Sequence, residues 1–224
     1  MLADANANIY DTLLSDHITV ISESIERFTP KGIRTVDGNE YEVDAIVLAT
    51  GFKANEFLWP MRVQGRDGAC LEDLWAKDGP RAYLSVMMPG FPNLFTMYGP
   101  NGNPAGGIGV PCTLESAGKF ALECIAYLIR ENRRTVDVTR DAFERYNSEL
   151  DRAELHKVYR DPRAHNYWTT GAGRSASQQP FDIRLYWSWL RSPDGSWPIP
   201  DNDWALDWQG PPLRPHFGED LTVD

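Results

Sequence analysis

Two apolar runs in this chain end on a glycine, and both could offer main chain to a ligand. In "DAIVLATGF" the run closes on Ala49, Thr50 and Gly51; in "LFTMYGPN" it closes on Gly99, Pro100 and Asn101. At the carboxyl end of a parallel strand the backbone is exposed, and a residue without a bulky side chain lets a ligand approach it. The second run is followed by the glycine-rich stretch "AGGIGVP" (105–111) and then by a helical pattern opening near Thr113 and Leu114. A helix start carries free N–H groups and positive potential. Such a constellation suits a phosphate, a ribityl chain or the electron-rich edge of a flavin. On the residues alone, Gly51 and Gly99 serve equally well as plain strand terminators.

Other chemistry is thin. "GAGRSA" (171–176) matches the form GxGxxA, but a dinucleotide fingerprint follows a strand and opens a helix. Here "HNYWTT" precedes it and "SQQP" follows, so it is set aside as a nucleotide loop. Four histidines fall at no HxxxH or HExxH spacing, and the three cysteines, Cys70, Cys112 and Cys124, form no CxxC. No metal site is expected, and the cysteines read as reduced thiols of a cytoplasmic protein. There is no GxSxG elbow.

The elements that must position these residues follow from pattern. "HITVIS" (17–22) is β-branched and reads as a strand. Asp37-Gly38 between alternating arms predicts a hairpin whose second arm feeds "DAIVLAT" (44–50), a run apolar at consecutive positions like a strand covered on both faces. Residues 52–83 read as an irregular connection, and 94–98 as another strand. Helices are expected over 113–131, capped by Thr113 with Leu114, Ala117, Ala121, Ile125 and Leu128 inward, and over 140–158, capped by Thr139 with Phe143, Tyr146, Leu150 and Ala153 inward. Arg184 to Leu190 forms a third, short one. Five of the eight tryptophans lie beyond position 185, in a segment rich in Pro and Asp that reads as irregular chain packed on a domain surface.

With 224 residues, 42% hydrophobic and 24% charged, the composition is that of a globular chain able to bury a core. A net charge of −10 disfavours nucleic acid as a partner. No apolar run is long enough for a membrane span, so no membrane partner is expected.

Taken in order, "DAIVLATGF", "GFPNLFTMYGPNGNP", the following helix, "HNYWTTGAGR" and "YWSWLRSPD" resemble the C-terminal part of a Baeyer–Villiger-type flavoprotein monooxygenase, closest to the hydroxyacetophenone monooxygenase branch, with the flavin-containing monooxygenases as wider relatives. The resemblance runs from about Tyr10 to Trp189. It implies FAD and NADPH as cofactors, and insertion of oxygen next to a ketone, or oxidation of a heteroatom, through a C4a-peroxide of the reduced flavin. The fold it implies is α/β, an incomplete two-dinucleotide-binding flavoprotein: residues 1–52 ending an NADPH-binding domain, 53–160 the C-terminal part of an FAD-binding domain, and 161–224 an extension over the cofactor region. By the same likeness Ala49, Thr50 and Gly51 hand the chain from one domain to the other. Gly99, Pro100 and Asn101 run along the ribityl chain, and Thr113 and Leu114 open a helix toward the flavin. Tyr167 and Trp168 belong to a segment folding over the nicotinamide cofactor; there Tyr167 stands where the family usually has Trp, and Trp168 where it often has Tyr.

The departures are large. Neither family GxGxxG loop is present, nor the FxGxxxHxxxW fingerprint, nor an upstream catalytic arginine. The resemblance therefore implies a fragment, a truncated product or one part of a split protein, inactive alone, its small-molecule ketone or heteroatom substrate bound by the whole. A missing N-terminal half, or self-association, is the partner this implies. No catalytic residue is assigned.

Overall fold

Asp37 and Gly38 turn the chain where their chemistry says they should. In the computed structural model, which describes residues 3–4, 7–104, 109–163 and 166–191, Gly38 has φ +90° and its N–H donates to the Thr35 carbonyl at 2.9 Å. Asp37 Oδ1 accepts from the Asn39 N–H at 3.2 Å, the self-capping that makes Asp a turn residue.

The chain divides into two units, Met1–Thr50 and Gly51–Asp224. In the first, the two-residue strands β1 (Ala3–Asp4) and β2 (Ala7–Asn8) pair antiparallel, and α1 (Ile9–Leu13) follows. Then β3 (Ile25–Thr29), β4 (Gly32–Thr35) and β5 (Glu40–Glu42) form an antiparallel sheet in that order, with Ile33 opposite Tyr41. Gly32 is required by its neighbour, since a Cβ there would overlap the Tyr41 carbonyl.

The strands expected at 17–22 and 44–50 do not form. Both segments lack a ladder partner among the described residues, and Val47 and Leu48 are 87% and 69% exposed. A consecutive apolar run becomes a buried strand only when neighbouring strands and two covering layers meet it.

In the second unit a 3₁₀ turn (Arg66–Gly68) and α2 (Leu71–Trp75) interrupt an otherwise irregular connection. A small core of Leu71, Ala82, Met88 and Phe91 lies there. The strand expected at 94–98 is also absent. Asn93 is left-handed at φ +60°, and Thr96 reaches Val86 by a single main-chain bond of 2.9 Å rather than a ladder.

After β6 (Asn103–Pro104) comes α3 (Val110–Arg130), then α4 (Arg140–Glu154). The cap of α3 is Gly109, not Thr113, with proline in the first turn where its missing N–H costs nothing. Thr113 therefore sits inside the helix and is buried. The inward face is Thr113, Ala117, Phe120, Ala121 and Cys124; Ile125, expected inward, is exposed, and Leu128 only borders the core. For α4 the cap is Thr139 as expected, its hydroxyl accepting from Ala142 N–H. Phe143, Tyr146 and Leu150 face inward, Ala153 is half-buried, and the helix stops at Glu154, short of the 158 expected. The short β7 (Gln178–Gln179) pairs with β6 in parallel, and α5 (Ile183–Leu190) follows, capped by Asp182.

The main core joins the Tyr83–Met87 turn to α3, α4 and α5. Tyr83 and Tyr146 meet edge to face at 5.4 Å, and the Tyr186 hydroxyl donates to the Leu84 carbonyl at 2.9 Å. The glycine-rich loop at 105–108 and the tryptophan-rich chain beyond Arg191 lie outside the described residues. No helix among the described residues is long and apolar enough to cross a membrane.

Candidate functional site

The turn from Tyr98 to Asn103 is built on close contact. A Cβ on Gly99 would overlap both the Ser85 carbonyl oxygen and Thr96 Oγ1, and one on Gly102 would press the Gly99 carbonyl at 2.9 Å. Pro100 and Asn101 are buried, and Asn101 adopts φ +58°. Asparagine tolerates that conformation because its short amide bonds locally.

Here it bonds across the fold. Asn101 Nδ2 donates to the Ser175 and Gln178 carbonyls, both at 2.9 Å, and its N–H donates to the Ala176 carbonyl at 2.7 Å. Its Oδ1 accepts from Arg174 Nη2 at 2.9 Å, and its carbonyl from Gln179 Nε2 at 3.2 Å. The polar groups of Asn101 are thus committed to the loop between Arg174 and Gln179. The outward polar groups of the turn are those of Tyr98 and Asn103, the phenol donating to Asn103 Oδ1 at 2.7 Å.

Tyr167 lies near this edge. Burial, and then the Tyr167 phenol, raise the Tyr98 hydroxyl above its ordinary pKa. The Tyr167 and Trp168 rings stand 5.0 Å apart, and Asn55 Nδ2 donates to the Tyr167 carbonyl at 3.1 Å. Asn166 Oδ1 accepts from the N–H groups of Trp168 and Thr169, which fixes the segment locally.

Thr113 lies in the first turn of α3, with Leu114 half-buried beside it. The buried Thr113 Oγ1 has no hydrogen-bond partner among the described residues, an orphan of the kind a ligand satisfies. Ala49 and Thr50 close the first unit in exposed, irregular chain, and Gly51 opens the second at φ +83° with open space around it. So the second unit sets Gly99, Pro100 and Asn101 in one turn, with Tyr167 close enough to influence the Tyr98 that opens it. Tyr98, Asn103 and Arg174, not singled out by sequence pattern, border the same turn; Arg174 lies within "GAGRSA".

A partly buried ionic cluster lies beside the turn. Arg81 grips Asp151 at 2.8 and 3.1 Å and Asp78 at 2.7 Å. The Arg81 hydrogen bond holds the Asp78 carboxyl below its usual range. Burial, and next the charge of Arg81, press the Arg174 guanidinium down. Glu154, fully buried, is pushed up by desolvation against the Ser175 N–H it accepts at 2.6 Å. Two concavities lie away from the turn. One, of about 510 Å³, runs between α3 and α5 past Cys112 and Trp187; the other, of about 680 Å³, is lined by Val63, Phe91 and Leu94. Among the described residues no group of three or more His, Cys, Asp or Glu could hold a metal.

Comparison with known proteins gives this arrangement a class. The chain is 35% identical over 182 residues to a Baeyer–Villiger monooxygenase of Pseudomonas aeruginosa, covering 81% of this chain and 32% of that protein. It is 33% identical over 183 residues to the FAD-binding monooxygenase ktnD of Aspergillus niger, covering 80% and 30%. Among solved structures it superposes on oxidized steroid monooxygenase bound to NADP with a TM-score of 0.66 at 27% identity, over 81% of this chain and 34% of that one. On OTEMO in complex with FAD and NADP the TM-score is 0.61 at 28% identity, over 78% and 33%. No family profile matches. The fold is thus α/β with small sheets, part of a flavoprotein fold of this type. The chain is a homologue of a segment of the Baeyer–Villiger-type monooxygenases, spanning about a third of the length of these relatives.

Proposed function

We propose that this chain is a segment of an FAD- and NADPH-dependent monooxygenase that inserts oxygen next to a ketone or oxidises a heteroatom, and that it is inactive alone. The observation carrying this reading is the close-packed Gly99–Asn103 turn near the start of α3, in a chain matching proteins solved with FAD and NADP. Flavin, when bound, supplies the redox chemistry with dioxygen. This chain's part is binding. Gly99 and Pro100 run along the flavin chain, Asn101 holds the turn in shape, and the first turn of α3, with Thr113 and Leu114, presents positive potential to the electron-rich edge. The orphaned Thr113 hydroxyl fits a polar ligand atom there. Tyr167 and Trp168 cover the nicotinamide cofactor. Ala49, Thr50 and Gly51 join an NADPH-binding part, residues 1–52, to an FAD-binding part, residues 53–160. Three free cysteines suit the reducing cytoplasm, where we place the protein.

A second reading, half of a split flavoprotein, is favoured by uncovered apolar surface within each unit. Val47 and Leu48 stand out in the first, and Leu122, Ile125 and Ile129 along one face of α3 in the second. One experiment addresses both. The purified chain, and the chain co-expressed with a polypeptide supplying the rest of a relative, are each incubated with FAD, desalted, and examined by visible absorption and by NADPH oxidation with a ketone. The expected result is a colourless chain and a yellow, NADPH-oxidising complex. A complex that forms yet holds no flavin sinks the first reading; a chain that never forms a complex and holds flavin by itself sinks the second.

A further inference from the structure

We infer that Arg174 is a positioning residue that locks the Gly99–Asn103 turn to the segment carrying Tyr167 and Trp168. This rests on the flavoprotein reading of that turn. The guanidinium is almost wholly buried and reaches three separate parts of the chain: the Pro80 carbonyl at 2.9 Å, Asn101 Oδ1 at 2.9 Å and Asp151 Oδ1 at 3.3 Å. Each partner takes a different nitrogen of the planar fork, Nη1, Nη2 and Nε; a lysine ammonium, whose three donors radiate from one nitrogen, cannot span partners spaced this way.

The connection to Tyr167 and Trp168 is short and stiff. Thr169 and Ser175 form an antiparallel bridge, and between them the Thr170 N–H donates to the Arg174 carbonyl at 2.7 Å. Gly173, at φ +76°, closes this turn, its N–H donating to the Thr170 carbonyl at 2.9 Å. The Ser175 N–H is held by Glu154 Oε1. Beyond it, Asn101 pins the Ser175 and Gln178 carbonyls, and β6 and β7 pair in parallel. A shift of the Tyr167–Trp168 segment therefore reaches Asn101 through one tight hairpin and one buried side chain. The two proposed cofactor segments are mechanically one piece, and Arg174 is the charged link among the bonds that join them.

The test is hydrogen exchange by mass spectrometry on the full chain without cofactor, comparing wild type, Arg174→Gln, Arg174→Lys and the surface control Lys119→Gln. Losing charge-assisted bonds on a buried turn is expected to raise exchange at the Asn101 and Asn103 amides about tenfold in Arg174→Gln. Arg174→Lys should lie between it and wild type, with α3 peptides and the control unchanged. Unchanged exchange at the turn overturns the inference. So does exchange rising equally in α3, or failure of both Arg174 variants to fold, for the residue would then be merely structural. In the flavin-holding complex, NADP+ should tighten FAD in wild type and do so less in Arg174→Lys; weaker FAD binding with that factor intact overturns the coupling. A wild-type complex without flavin removes the proposed function and leaves the exchange result standing.

Discussion

Replacing Gly99 by alanine tests the close packing of the candidate turn directly. The added Cβ overlaps the Ser85 carbonyl oxygen, which is backbone and has no rotamer to escape into. It also overlaps Thr96 Oγ1, which donates to that same carbonyl at 2.9 Å. Relief requires the turn to move off Ser85, or Thr96 to rotate and give up its bond. Overpacking of this kind costs about 1–3 kcal/mol, and a lost buried hydrogen bond about 1 more, so the expected destabilisation is about 2–4 kcal/mol. Gly51→Ala is the natural comparator. At φ +83° it meets nothing within 4 Å, leaving only the backbone cost of a left-handed alanine, about 1 kcal/mol. Urea unfolding followed by tryptophan emission reads both, with equal m-values confirming that the unfolded state is unchanged. A Gly99→Ala variant within about 0.5 kcal/mol of wild type, or less destabilised than Gly51→Ala, would show that the turn does not rest on Ser85, since surface changes fall in that range.

Further tests bear on the core, the buried acid and the thiols. Phe120→Ala should cost about 3–5 kcal/mol, because the ring is fully buried, while Leu122→Ala, 67% exposed, should stay within about 0.5 kcal/mol; the reverse order would put the wrong face of α3 inward. Glu154 has a raised folded-state pKa, so its contribution to stability is complete below the ordinary glutamate range and drains as pH rises through the folded value. Glu154→Gln, which keeps a neutral acceptor for Ser175, should therefore gain on wild type as pH rises through that window in chemical-denaturation series; a difference independent of pH would refute the assignment. Cys112 is exposed and Cys124 is buried with its thiol pushed up to about 12, so a thiol reagent should label Cys112 and spare Cys124 until urea unfolds the chain. Labelling of native Cys124 would contradict the packing of α3.

What the sequence revealed was local. Asp37-Gly38 carries its own turn chemistry, Thr139 its own cap, and the α4 stripe of Phe143, Tyr146 and Leu150 selects one face. The runs at 17–22, 44–50 and 94–98 look like strands by composition, yet a strand needs partners distant in sequence, and the described chain offers them none. The phase of α3 was misread for another reason. Leu114, Phe120, Leu122, Ile125, Leu128 and Ile129 spread over roughly 200° of the helix at about 100° per residue, so the apolar stripe is wider than the face that is buried and does not mark its centre. Gly99 was visible as a small residue after an apolar run, but its need to be glycine comes from Ser85, far back in the chain. Arg174 was illegible because nothing in a charged residue's neighbours announces that it will be buried.

The parallel pairing of β6 with β7 joins segments that lie far apart, and Asn101 reaches Ser175 across 74 residues. Closing so long a loop is entropically slow, and both long helices can form before it happens. On the ribosome Gly99 can settle against Ser85 early, but Asn101 waits for its partners until Gln179 has emerged. Through that interval the Asn101 side chain is synthesised but lacks every partner that fixes it in the finished fold, so the last part of the turn to be ordered is its far end.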